Sequence, residues 1–141
     1  MQQWVCRIGD KTGRFLRIMF GCHARADRSF FFRGRQFPIC ARCTGELVGM
    51  IAGIPIAVVL GVPRFWYVVL LMIPMLLDGF IQLLTSYESR NIRRLWTGIL
   101  FGIAFIFFLI YFHRTCVYIA GEILKLFMDP EKVERAVRAF T

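Results

Sequence analysis

The adjacent residues Cys22 and His23 and the run Cys40-Ala41-Arg42-Cys43 have the residue types and spacing that could do chemistry. A C-x-x-C lets two thiolates turn back on one Zn ion, and a Cys or His from positions 22 and 23 could add a third ligand. Cys22 and His23 would not comfortably chelate the same ion. With Cys22, Cys40 and Cys43 bound, the fourth position falls to His23, Glu46, Asp78 or water. An open fourth position is what a catalytic zinc keeps and a structural zinc lacks. Metal ligation, with Zn the expected ion, is therefore the first reading of Cys22, His23, Cys40 and Cys43. A redox pair at Cys40 and Cys43, or unligated thiols packed near an interface, are the alternatives. Arg42 inside the motif favours thiolate in either active reading. His113 and Cys116 are three apart, but two ligands are not a site, and both read as structural, as does Cys6.

A second set of polar residues lies further along. Asp78 and Gln82 are four apart and share a helix face, which Thr85 continues. The segment after them supplies Ser86, Ser89, Arg90, Asn91, Arg93 and Arg94. An ionisable group inside an apolar run normally faces a partner or a polar cavity, so Asp78 is expected to pair with an arginine, Arg93 or Arg94, or to act in a site. In the second case Arg90, Asn91, Arg93, Arg94 and Gln82 would bind an anion, since Arg supplies bidentate donors, and Asp78, Glu46 or His23 would serve as base.

These groups need elements to hold them, and the composition says what kind. Of 141 residues, 57% are hydrophobic and 19% charged, against roughly 45–50% and about 25% in soluble domains. A disordered chain or an ordinary soluble domain is excluded. Three apolar runs, 44–62, 65–84 and 95–112, are each long enough, at about 18–20 residues, to cross roughly 30 Å of hydrocarbon as a helix. Their lack of period-two alternation excludes barrel strands. The expected fold is all-α, with three transmembrane helices flanked by amphipathic helices at both ends. Three regions follow: a basic segment 1–43, a membrane domain 44–112 and a helical tail 113–141. No cleavable leader is expected, because charges interrupt residues 1–20.

Charge sets orientation. Residues 1–43 carry nine Lys and Arg, the first hairpin only Arg64, and the second loop three. The positive-inside rule therefore expects a multi-pass protein of the cell membrane with a cytoplasmic N-terminus. The formal charge of +9 points to phosphates, and membrane lipid is the expected partner rather than nucleic acid, for which no motif is present. In the first flanking helix Trp4, Ile8, Phe15 and Met19 share a face opposite Arg7, Lys11 and Arg14, fit for an anionic leaflet or for packing on the protein itself. In the last, Asp129 can cap, Pro130 suits the first position, and Val133, Ala136, Val137 and Phe140 form an apolar stripe. Gly45, Gly49, Gly53, Ala57 and Gly61, with Gly98 and Gly102, make small-residue ridges that let helices approach closely. Whether their partner is another span or another copy is open, and a homo-oligomer is expected.

The combination of Cys22-His23, Arg28-Ser29-Phe30, residues 37–45 (FPICARCTG), Asp78-Gly79 with Gln82, and Asn91-Ile92-Arg93-Arg94 followed by Thr97-Gly98 resembles a family of small prokaryotic membrane proteins known as a domain of unknown function. The resemblance spans most of residues 22–102. It implies three membrane spans with a cysteine-bearing cytoplasmic edge and nothing about substrate. Three functions remain open: a metalloprotein that binds or processes a phosphate-bearing lipid or amphiphile, an oligomeric channel or carrier using the Asp78 and Gln82 face, and a thiol-disulfide protein using Cys40 and Cys43.

Overall fold

The computed structural model describes residues 10–85, 87 and 89–140. Trp4, Cys6, Arg7, Ile8 and Ser86 lie outside the described residues, as does the side chain of Lys11. The described chain is nearly all-α. Helix α1 (Asp10–Met19) is followed by a 3-10 turn (Ala26–Arg28), strands β1 (Phe31–Phe32) and β2 (Arg35–Gln36), and helices α2 (Ala41–Leu60), α3 (Phe65–Leu84), α4 (Asn91–Leu124) and α5 (Pro130–Phe140).

Helices α2, α3 and α4 are long and apolar enough to cross a membrane. Only 11–22% of their most apolar stretches is buried within the protein. Side chains such as Val58, Leu60, Trp66 and Leu83 point outward, as they do when lipid rather than water is the solvent. Pro55 and Pro74 lie inside α2 and α3, a placement tolerated where neighbouring helices support the backbone. At about 1.5 Å per residue, α2 and α3 span about 30 Å and the 34-residue α4 about 51 Å. The third apolar run is thus the middle of a longer helix, which passes unbroken through Phe112 and His113, where the tail was expected to begin.

Helices α2 and α4 pack through the glycine ridges. A Cβ at Gly45 would overlap the Leu95 carbonyl, one at Gly49 that of Ile99, one at Gly98 that of Arg42, and one at Gly102 that of Glu46. The ridges are therefore spent on the α2–α4 contact inside the chain. Gly61, expected to continue the ridge, instead ends α2 at φ +76 with open space around it. At the other end of the bundle Val68, Ala104 and Phe107 are buried together, with Ala57 and Tyr111 packed on them, and the Tyr111 hydroxyl donates to the Pro63 carbonyl at 2.7 Å.

Helix α5 starts at Pro130, as its sequence predicts, and folds back on α4. Val133 is buried and Val137 lies where a Cβ on Gly121 would go. Part of the apolar stripe of α5, Val133 and Val137, thus finds its cover in α4, while Ala136 and Phe140 stay exposed. On α1, by contrast, Phe15, Ile18 and Met19 remain exposed, so the rest of the described chain does not cover that face.

The β1–β2 hairpin was not expected from sequence. Its strands are antiparallel, Phe31 opposite Gln36 and Phe32 opposite Arg35. The two-residue turn Arg33-Gly34 has φ +50 and +76, the positive values a type I′ hairpin turn requires.

Candidate metal centre

Two helix ends bring the cysteines together. Helix α1 closes with Gly21 at φ +56, its amide donating to the Ile18 carbonyl at 3.2 Å while the Cys22 amide donates to Arg17 at 2.8 Å. This is the paired bonding of a Schellman cap, with glycine in the left-handed position. It delivers Cys22 directly after the helix. Arg17 Nε also donates to the Pro38 carbonyl at 2.9 Å, tying α1 to the segment that enters α2. Cys40 is the N-cap of α2, and Cys43 follows within its first turn.

The Sγ atoms of Cys22, Cys40 and Cys43 all lie within 4.8 Å of one another, and those of Cys40 and Cys43 are 3.4 Å apart. Tetrahedral zinc with bonds of about 2.3 Å holds its sulfurs about 3.8 Å apart. A 3.4 Å pair inside a group that spans no more than 4.8 Å is close enough to that spacing for the three residues to fit such an ion. Among the described residues they form the one group of three or more such side chains that could hold a metal.

The local electrostatics favour thiolate at Cys40. The sulfur of Cys22 accepts the backbone amides of Ala24 at 3.4 Å and Cys40 at 3.1 Å. Ala24 takes the left-handed conformation, φ +46, a strain of about 1–3 kcal/mol for a residue with a Cβ. Gln36 of the hairpin holds it there, donating from Nε2 to the Ala24 carbonyl at 2.8 Å. Cys40 is pushed down to about 5, chiefly by the hydrogen bond from the Cys43 thiol and further by Cys22 and nearby backbone amides, against the opposing effect of half-burial.

The cysteines form part of the wall of a pocket of about 570 Å³, completed by Phe20, His23, Arg25, Arg28, Arg42, Glu46 and Met75 among others. His23 is exposed at its rim and Glu46 half-buried. Neither belongs to the sulfur cluster, but both face the same space. Arg25 is neutralised by Asp27, with bonds of 3.2 and 3.1 Å, and Asp27 is held below the usual carboxylate range, first by that hydrogen bond.

Asp78 lies elsewhere, in a buried polar network joining all three spans. Its carboxylate accepts Arg42 of α2, Gln82 Nε2 at 2.9 Å and Ser89 Oγ at 3.2 Å. Arg94 donates from Nε to Ser89 Oγ at 3.0 Å and reaches Gln82 Oε1 at 3.5 Å and Asn91 Oδ1 at 3.4 Å. The direct partner of Asp78 is therefore Arg42, not Arg93 or Arg94. Arg94 acts on the carboxylate at second hand, through Ser89 and Gln82. Arg93 is exposed, its Nη1 donating to the Tyr87 hydroxyl at 2.7 Å, and Arg90 is exposed at the N-cap of α4. Asn91 Nδ2 also reaches the Asp27 carbonyl at 3.5 Å.

The structure thus divides the expected residues between two places, with Arg42 common to both. It lines the sulfur pocket while binding Asp78, and its Nε is buried with no partner among the described residues. The arginines beside the sulfurs are Arg25, Arg28 and Arg42, which sequence reasoning did not assign to an anion. Arg25 follows Cys22 by three and Arg42 sits between the paired cysteines, a proximity that was the available signal.

The family described as "Predicted membrane protein (DUF2085)" matches residues 22–108, a stretch containing the cysteine cluster, the polar network and most of the three spans. An uncharacterized protein of Methanothermobacter thermautotrophicus is 38% identical over 92 residues, covering 62% of this chain and 83% of its own length. An uncharacterized protein of Methanocaldococcus jannaschii is 35% identical over 95 residues, covering 63% of this chain and 61% of its own length, so the match spans less than two thirds of that relative. No solved structure matches the chain. The sulfur cluster and the network at the end of a three-helix membrane bundle are therefore features of a chain that belongs to this predicted membrane protein family.

Proposed function

We propose that the chain is a membrane metalloprotein whose Cys22, Cys40 and Cys43 hold zinc, and whose adjoining pocket binds or processes an anionic, phosphate-bearing amphiphile at the cytoplasmic interface. The observation that carries this reading is the cluster of three sulfurs within 4.8 Å on the wall of an open pocket. Three protein ligands leave a fourth position for a ligand or substrate atom, and a bound zinc supplies a Lewis acid there. Glu46 and His23 face the same space, where either can complete the coordination or accept a proton. Arg25, Arg28 and Arg42 line the same space, each already ion-paired with Asp27 or Asp78, so an anion bound there would share these cations with those carboxylates.

Elemental mass spectrometry of the purified, detergent-solubilised protein tests this, beside a Cys40→Ser, Cys43→Ser double variant. About one zinc per chain, lost in the variant, is the expected result. Metal-free protein prepared without chelator overturns it.

The 3.4 Å separation of Cys40 and Cys43 supports one second reading, a thiol-disulfide protein. Differential alkylation before and after reduction would reveal a reversible bond between them. An ion path along Asp78 and Gln82 has less support, because both side chains are occupied by Arg42, Ser89 and Arg94.

A further inference from the structure

The β1–β2 hairpin is tied to the loop after Cys22 through one side chain, Gln36, which donates to the Ala24 carbonyl, and the rest of its surface has no such use. Neighbouring residues of a strand point to opposite faces, so a hairpin lying on protein buries one of each pair. Here Phe31 and Phe32 are both open, 60% and 64% exposed. The turn shows a second departure. Its first residue is Arg33 at φ +50, a position where Asn, Asp or Gly is the usual choice, and the guanidinium lies 5.5 Å from the Phe32 ring centroid. Arg35, opposite Phe32, is exposed as well. No acidic residue occurs between Asp27 and Glu46.

The hairpin is also held near the membrane surface. Only residues 37–40 separate it from α2, at most about 14 Å of extended chain. Ile39 in that link is buried, and Gln36 is bonded to Ala24. An element pinned at this level and showing aromatic and basic side chains together matches the headgroup region of an anionic bilayer, where rings take the interface and arginines meet phosphate. A second copy of the chain is a poor fit, because each carries a net charge of +9.

We infer that the hairpin is a lipid-docking element: Phe31 and Phe32 enter the headgroup region of the leaflet at which α2 begins, while Arg33 and Arg35 bind anionic lipid phosphates. The docked hairpin then holds Gln36, and through it the Cys22 loop, against the membrane surface.

The test uses the full chain in nanodiscs of phosphatidylcholine, alone or mixed with phosphatidylglycerol. Phe31→Trp is the probe, with Trp4, Trp66 and Trp96 replaced by Phe. With phosphatidylglycerol present, the probe's emission shifts to the blue and roughly half of it is quenched by lipid brominated near the headgroup. Adding Arg33→Glu and Arg35→Glu removes both effects. Hydrogen exchange on the unaltered chain is the second measurement, and amides of residues 30–37 exchange several-fold more slowly in the anionic discs. A probe that stays in water in both lipids, with equal exchange, overturns the proposal. Equal quenching in both lipids overturns the role of anionic lipid. Protection that grows with protein concentration overturns it in favour of a second copy.

Discussion

Arg42, in the first turn of α2, donates to the carboxylate of Asp78 on α3, and the two residues that bracket it in the C-x-x-C are candidate metal ligands. One side chain thus belongs both to the packing of two spans and to the wall of the sulfur pocket. Removing Asp78 leaves the Arg42 charge without its carboxylate at the edge of the bundle. Breaking such a pair costs about 3–5 kcal/mol when fully buried, and the Arg42 side chain is 24% exposed, so the lower end applies. Asp78→Ala is expected to lower the unfolding temperature in detergent and to weaken metal retention. In a double-mutant cycle, Arg42→Ala with Asp78→Ala should cost clearly less than the sum of the single changes. Strict additivity would mean that the pair does not couple α2 to α3.

Adjacent arginines at the start of α4 should behave differently. Arg94 is 4% exposed and donates to Ser89, Gln82 and Asn91, while Arg93 is exposed and meets only Tyr87 among the contacts described above. Arg93→Ala should change stability by about 0.5 kcal/mol or less. Arg94→Ala should cost about 3 kcal/mol, since it leaves Gln82 Oε1 without its donor at membrane depth and removes one of the two donors to Ser89. Arg94→Lys should rescue little, because an ammonium cannot reproduce the fork of guanidinium donors. Thermal unfolding of the three variants in one detergent decides it, and equal losses at the two positions would contradict the assignment.

The sequence made the helices legible because a membrane span must be a long apolar run, so length and hydropathy alone mark 65–84 without ambiguity. It made the cysteines legible as a candidate cluster because a C-x-x-C across a helix start turns two thiols towards one point. The partner of Asp78 was not legible: charge rules place arginines at a membrane level without saying which one reaches inward, and the loop arginines were closer in sequence than Arg42. The hairpin was hidden for another reason. Two strands of two residues carry no periodicity, and a positive φ at Arg33 runs against its residue type. The glycine ridges were visible, yet only the fold shows that Gly45 and Gly98 face each other.

The strained backbone at Ala24 gives a prediction about the cysteine loop. Its amide points at the Cys22 sulfur, its φ is positive, and Gln36 bonds its carbonyl. Ala24→Gly removes the Cβ penalty and should leave metal retention unchanged, with stability unaltered or raised by up to about 1 kcal/mol. Gln36→Leu should release the loop and lower zinc affinity without touching a ligand. Competition with a colourimetric chelator measures both variants, and unchanged affinity in Gln36→Leu would show that the hairpin does not support the centre.

The contact of Gly98 with the Arg42 carbonyl extends the same logic to the bundle. Gly98→Ala places a methyl group where that carbonyl sits, and backbone, unlike the tip of a side chain, cannot step aside cheaply. Relief requires α2 and α4 to separate at the level of Cys40 and Cys43. Overpacking of this kind typically costs about 1–3 kcal/mol, and here the displaced residue, Arg42, is one of the two between the cysteines. Gly98→Ala should therefore reduce zinc retention although residue 98 is no ligand. Gly61→Ala, where no atom lies within 4 Å of the new Cβ but φ is +76, should lower stability through backbone strain and leave zinc retention intact. Measuring metal content and unfolding temperature on both variants separates the two effects. If both lose zinc in proportion to stability, the centre responds to global unfolding rather than to the α2–α4 contact.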